Sequence, residues 1–218
     1  MKSFHAERER SADASVCRVC SNRSNNRSHR AREMMFGFKD EFEYLECARC
    51  KCVQIIEIPD SMSKYYPANY HSFAPVSSHG GVRALLTRAR NSYATTSHGV
   101  VGKILSRYFP PIAALRSLPR LELNNDARIL DVGCGNGMLL DAMGDLGFRN
   151  LVGLDPFLDA DIERSNGVKL LKRTIHEIDG QFDVIMFHHA FEHIADPGPT
   201  LGAVYDLLAT AGTCLTAC

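Results

Sequence analysis

Three glycines at alternate positions, Gly133, Gly135 and Gly137, follow directly on the apolar run Arg128-Ile-Leu-Asp-Val132. Lacking a Cβ, such positions let the main chain turn sharply and approach a ligand where any other residue would collide. The segment behind them, Met138 to Leu146, has apolar residues at helical spacing, so the glycines sit at a strand-to-helix switch with free N–H groups aimed at a nucleotide-like ligand. A second buried run, Asn150-Leu-Val-Gly-Leu-Asp155, ends in a carboxylate placed to accept hydrogen bonds from both hydroxyls of a ribose. Further on, His188-His189-Ala-Phe-Glu192-His193 gathers candidate bases directly after another apolar run, Phe182 to Phe187. Near the start, Cys17-Arg-Val-Cys20 and Cys47-Ala-Arg-Cys50 are two ligand pairs separated by a hairpin-length loop. Four thiolates so spaced close a tetrahedral structural zinc site with no position left open for catalysis. Cys52 competes with Cys50 for the fourth place, and Ser21 and Lys51 stand where zinc knuckles often carry glycine.

A dinucleotide fingerprint has its last glycine one place later, where this chain has Met138, so the pattern is G-x-G-x-G and favours S-adenosylmethionine over NAD. The stretch from Arg128 to Gly137 resembles motif I of class I S-adenosylmethionine-dependent methyltransferases. Together with the cysteine pairs it resembles, over roughly residues 16 to 208, a bacterial group of these enzymes with an N-terminal zinc ribbon, often associated with sugar or polysaccharide modification. The resemblance implies that Asp131, Gly133, Gly135, Gly137 and Asp155 bind the cofactor, with Ile175 on the adenine ring and His176 at its border. It also places His189, Glu192 and His193 along the methyl-transfer site, with His189 or His193 as the base. Methyl transfer from a sulfonium is an in-line displacement, so the protein supplies alignment and, for a hydroxyl acceptor, a group to take the proton.

The elements that must position these residues are legible from periodicity. Apolar runs at 128–132, 150–155, 168–171 and 182–187 alternate with helical segments, and Thr213-Cys-Leu-Thr216 starts a fifth strand. That alternation predicts an α/β fold, a Rossmann-like parallel sheet wound with right-handed crossovers. Residues 1–15 read as disordered, 16–60 as the zinc-ribbon module, 61–125 as a tyrosine-rich bridge and basic helical linker, and 126–218 as the methyltransferase domain. The resembled fold has seven strands and a Pro-Gly-Gly turn before the fifth; here Ala209-Thr-Ala-Gly212 stands instead. The expectation is an incomplete seven-stranded fold, truncated at the fifth strand, with the activity of the chain in question.

Composition bounds the rest. The chain has 218 residues, 45% of them apolar, which is enough for a substantial core. Its polar opening lacks a signal or spanning segment, so the expected place is the cytoplasm, where paired Cys-x-x-Cys units hold metal more often than disulfides. Formal charge is balanced overall, yet between Gly80 and Asn125 seven bases face Glu122 alone. That segment either is a solvated helix face packed on an acidic domain or faces an anionic substrate. The expected partner is a small-molecule substrate such as a nucleotide sugar or glycan precursor, with no membrane partner. Two alternatives stand beside it: an RNA methyltransferase, against which the sparse aromatic interleaving speaks, and a non-catalytic zinc-ribbon interaction protein carrying a remnant domain.

Overall fold

The structure is a computed structural model, and it describes residues 15–59, 62–65 and 81–217. Nearly all of the segment expected to be disordered, and most of the tyrosine-rich bridge, lie outside the described residues. The chain divides into two compact units, Met1–Pro67 with Ala195–Gly198, and Ala68–Ile194 with Pro199–Cys218.

The first unit is an antiparallel meander of β1 (Arg27–Arg32), β2 (Glu41–Glu46) and β3 (Val53–Ile55). Every residue of β1 is exposed, and its bases face acids of β2: Arg32 meets Glu41 at 2.6 Å and Arg30 meets Glu43 at 3.4 Å. Such solvated pairs fix register more than they stabilise. The buried core is small, with Cys17, Leu45 and Cys47 fully enclosed and Cys20, Cys52 and Ile56 packed against them. A core of that size does not hold a fold by apolar burial alone, and units of this kind depend on a metal or another staple.

In the second unit α1 (Gly81–Thr96) and α2 (Val100–Tyr108) precede two one-turn helices at Ala113–Arg116 and Leu118–Leu121. Then follow β4 (Arg128–Val132), α3 (Met138–Leu146), β5 (Asn150–Leu154), β6 (Ile162–Glu163), β7 (Lys169–Leu171), β8 (Phe182–His188), α4 (Pro197–Leu207) and β9 (Leu208–Ala217). The sheet order is β6-β7-β5-β4-β8-β9, parallel throughout except for the short β6, which the sequence pattern did not disclose. From β4 the chain moves outward through β5 to β7 and then returns to the other flank with β8. The order reverses there, and ligands of open α/β sheets bind outside the carboxyl ends of the strands at that point.

Alternation along the central strands builds two cores. Ile129, Val184 and Met186 join Leu140 and Met143 of α3 on one face; Leu130, Ile185 and Phe187 join Val204 and Leu207 of α4 on the other. Leu115 and Leu118, from the segment read as a linker, are buried in the first of these cores. The strand expected at 213–216 is longer and follows α4 without a break. Its partners jump from Phe182↔Leu208 to Val184↔Thr213, so Ala209-Thr-Ala-Gly212 forms a bulge rather than a separate turn. Ala211 has a left-handed φ of 64° there, and a Cβ on Gly212 would lie 2.9 Å from the Ala209 carbonyl oxygen.

Gly153 of β5 lies under the glycine loop, where a Cβ would sit 2.6 Å from Cys134 Sγ and 2.8 Å from Leu140 Cδ1. Gly153→Ala is expected to lower stability by about 1–3 kcal/mol, the usual cost of overpacking a closed core. Urea unfolding of the two proteins measures this, and equal midpoints would mean that loop and helix can yield at no cost.

Candidate functional site

The glycine loop leaves β4 at Val132, and all three glycines have left-handed backbone, with φ of 77°, 54° and 79° at Gly133, Gly135 and Gly137. Side chains disfavour that region, and two of the positions also lack room for one. A Cβ on Gly133 would fall 2.5 Å from the Ala190 Cβ, and one on Gly137 2.7 Å from Leu170 Cδ1. The first contact brings the loop after β8 directly against the glycine loop. The N–H groups of Gly133 and Cys134 both donate to the Leu154 carbonyl, at 2.7 and 3.1 Å. Met138 N–H, at the start of α3, is taken by Asn136 Oδ1 at 3.1 Å, so this expected free donor is satisfied within the loop. Arg164 donates to the Asn136 carbonyl at 3.0 Å and braces the loop from outside.

Asp155 sits at the end of β5 as expected, 5% exposed, and both of its oxygens are engaged. Oδ2 accepts the Gly135 N–H at 2.9 Å and Oδ1 the Phe157 N–H at 2.9 Å. A carboxylate has further lone pairs, so a ribose hydroxyl would share these oxygens rather than find them open. Asp131 is 3% exposed with Oδ1 unpartnered among the described residues. Burial, and then the nearby charge of Asp155, push its carboxyl up to about 7. Burial likewise raises the Cys134 thiol, so this loop cysteine is inert rather than nucleophilic. Ile175 opens a one-turn helix closed by a capping box between Thr174 and Glu177, and its side chain belongs to the buried cluster with Leu130 and Leu154. His176 beside it is exposed.

Beyond β8, His189 has a left-handed φ of 51°, and its N–H donates to the Ala217 carbonyl at 2.7 Å. Its Nδ1 stands 3.7 Å from Glu192 Oε1, so these two candidates are brought together. Glu192 and His193 lie on a one-turn helix, Phe191–His193, and His193 is exposed, with its N–H on the Ala190 carbonyl. His188, in the same run of candidate bases, is not one of those the resemblance singles out. It is half-buried, its Nε2 is enclosed without a partner among the described residues, and burial followed by His189 lowers its pKa. Strand alternation could have found it, since His188 continues the face of Val184 and Met186 at the strand's carboxyl end. A cavity of about 1190 Å³ lies between α1 and α3, with Arg83, Arg88, Arg90 and Arg164 on its walls and Met138 at the end next to the glycine loop.

In the first unit the two knuckles repeat one backbone pattern. Ser21 N–H donates to the Cys17 carbonyl and Lys51 N–H to the Cys47 carbonyl, at 2.8 and 3.0 Å. Cys17 N–H meets the Asn22 carbonyl and Cys47 N–H the Cys52 carbonyl, at 3.0 and 2.9 Å. Ser21 and Lys51, in the places of glycine, take φ of 58° and 64°. The sulfurs of Cys17, Cys20, Cys47 and Cys50 lie within 4.8 Å of one another, with Cys17–Cys50 at 3.6 Å and Cys20–Cys47 at 3.5 Å. A zinc ion with thiolates at 2.3 Å separates its sulfurs by about 3.8 Å, so the cluster fits that ion. Cys50 and not Cys52 completes it. The Cys50 N–H, directed at Cys47 Sγ, heads the causes that bring the Cys47 thiol down to about 6, while, against the Cys52 N–H, burial and the neighbouring sulfurs push the Cys50 thiol up to about 12.

Two outcomes are expected. Purified protein should carry zinc near one equivalent by elemental analysis, lost in Cys50→Ser and kept in Cys52→Ser; retention in both variants would discard the ligand set. The Asp131 carboxyl has a folded value near 7, above the ordinary unfolded value of about 3.9, so it costs stability progressively as pH rises between about 4 and 7. Asp131→Asn should remove that slope, and a stability difference from wild type that stays constant across this window would refute it.

A family model described as a methyltransferase domain matches residues 104–217. The ubiquinone biosynthesis O-methyltransferase of Ruegeria pomeroyi is 36% identical over 96 residues, 39% of this chain and 38% of its own length. That of Pseudomonas aeruginosa is 33% identical over 96 residues, 39% of this chain and 41% of its own. The chain thus spans about two-fifths of the length of these curated relatives. Among solved structures, the plantazolicin methyltransferase BpumL in complex with a pentazolic desmethylPZN analog and SAH is similar at 18% identity. That match covers 62% of this chain and 61% of the other, with a TM-score of 0.38, too loose a likeness to support a fold or a role.

Proposed function

The chain belongs to the methyltransferase-domain family, and we propose that it catalyses S-adenosylmethionine-dependent methyl transfer to a small, sugar-containing metabolite. The observation that carries this reading is the run of three left-handed glycines, the first packed against the loop after β8, at the point where the strand order reverses. S-adenosylmethionine, when bound, supplies a methyl group on a sulfonium. Gly133, Gly135 and Gly137 present main chain without side chains to it, Asp155 shares its oxygens with the ribose, and Ile175 supports the adenine wall. Asp131 lies behind the loop with one oxygen still to be satisfied.

As the oxygen of the acceptor forms its bond to the methyl carbon and the carbon–sulfur bond breaks, the hydroxyl proton needs a base. His189, with Glu192 beside its Nδ1, takes it, and His193 is the second candidate on the same turn. His188, at the carboxyl end of β8, has an enclosed Nε2 without a partner among the described residues. The sugar-containing acceptor, a nucleotide sugar or glycan precursor, is favoured by the cavity beside the glycine loop, because Arg83 and Arg88 there have no partner among the described residues and suit a phosphate. An RNA acceptor is the second reading, favoured by the same bases. A zinc held by the ribbon would have a structural role in either case, and a cluster of cysteines held by metal rather than by disulfides suits the reducing cytoplasm.

Calorimetric titration with S-adenosylhomocysteine tests the reading. Binding is expected in the wild type and should weaken by about 1.5–3 kcal/mol in Asp155→Ala, the order of losing hydrogen bonds to a charged group. Equal affinities would mean that the ribose is held elsewhere, and no binding to either protein would leave a non-catalytic ribbon protein. Thermal protection by nucleotide sugars but not by RNA separates the two acceptors.

A further inference from the structure

The helices that precede the sheet leave much of their apolar surface to solvent. Along α2, Val100, Val101, Ile104 and Tyr108 recur at helical spacing, and Val100 and Tyr108 are 76% and 72% exposed. Val82 at the start of α1 is 72% exposed as well. The opposite side of α2 is committed to α1, because a Cβ on Gly102 would stand 2.3 Å from the Ala89 carbonyl oxygen and 2.6 Å from Tyr93 Cβ. The exposed arc is therefore not a loosely packed inner face; it is the outer face of a tightly closed helical hairpin.

Charge on the same hairpin has a single sign. Residues 81–109 contain Arg83, Arg88, Arg90, Lys103 and Arg107 and no aspartate or glutamate. Lys103 and Arg107, one turn apart on α2, flank the apolar arc, and neither has a hydrogen-bond or ion-pair partner among the described residues. Apolar side chains beside unpaired bases on a short helix make the pattern that lies in a membrane interface, with its apolar face among the acyl chains and its bases on anionic headgroups. No helix among the described residues is long and apolar enough to cross a membrane, so the hairpin would lie on the surface.

We propose that the α1–α2 hairpin docks the protein on the surface of an anionic phospholipid bilayer. The sequence led to the expectation of no membrane partner, and the proposal departs from it on the strength of the exposed basic-apolar face. A second copy of the chain suits this face less, because two hairpins with five bases each and no acid repel. RNA suits it less, because the aliphatic Val100, Val101 and Ile104 offer bases no stacking surface.

Flotation of the zinc-loaded full chain with vesicles tests this. Binding is expected to vesicles of phosphatidylglycerol mixed with phosphatidylcholine and not to phosphatidylcholine alone, with partial release by salt. Lys103→Gln with Arg107→Gln should weaken it roughly 30-fold, two bases at about fivefold each. Val101→Asn with Ile104→Asn should weaken binding while leaving helical circular dichroism and zinc content unchanged. The chain has no tryptophan, so Tyr108→Trp adds a single reporter whose emission should shift to the blue on the anionic vesicles. Equal binding to both vesicle types, binding to neither, or an unshifted reporter would overturn the proposal. So would self-association, or RNA binding, abolished by the same variants without any lipid binding.

Discussion

The hydrogen bond from the Gly135 N–H to the buried Asp155 carboxylate is the constraint on which the rest of the site depends. Two consecutive residues at the end of β5 collect four backbone donors: Leu154 through its carbonyl takes Gly133 and Cys134, and Asp155 through its side chain takes Gly135 and Phe157. A charged acceptor in a dry setting makes the strongest of such bonds. The first half of the loop cannot sag, because its turns at Gly133 and Gly135 are tied to one strand end, while the Gly137 N–H closes on the Cys134 carbonyl within the loop. That strand is itself held over five residues by β4 and over three by β7, so loop precision derives from sheet register.

What the sequence disclosed and what it withheld follow from the range of the forces involved. The runs at 128–132, 150–155 and 182–187 and the helix at 138–146 were legible because burial on known faces imposes a period on the residues themselves. The left-handed glycines and the two knuckles were legible for the same local reason, and Ser21 and Lys51 take the backbone that their glycine-like positions implied. The two-residue β6 was not, since so short a strand has no period. Nor was the burial of Leu115 and Leu118, which depends on what α3 and β4 present across space. Asp155 shows the limit most clearly: its position could be read, but that its oxygens already serve two backbone donors is a property of the folded loop. His188 was hidden by its neighbours, because a row of histidines draws attention to exposed rings rather than to the one the strand turns inward.

The two units rest on different physics. Around the sheet, two apolar cores on opposite faces supply the cohesion, and polar groups are admitted only where they position the loop. In the ribbon, three buried residues cannot supply much, and two backbone knuckles instead hold four sulfurs at the corners of a small tetrahedron. Left-handed Ser21 and Lys51 each pay a conformational cost that a coordinated ion is well able to offset.

The contact between Gly133 and Ala190 has a consequence for how such a protein can change over generations. The methyl group of Ala190 occupies the space in which a side chain at position 133 would begin. Neither position can therefore drift independently: a larger residue at 190 would press on the glycine loop, and any side chain at 133 would displace the segment that bears His189. A change at one of the two positions is therefore expected to require an accommodating change at the other.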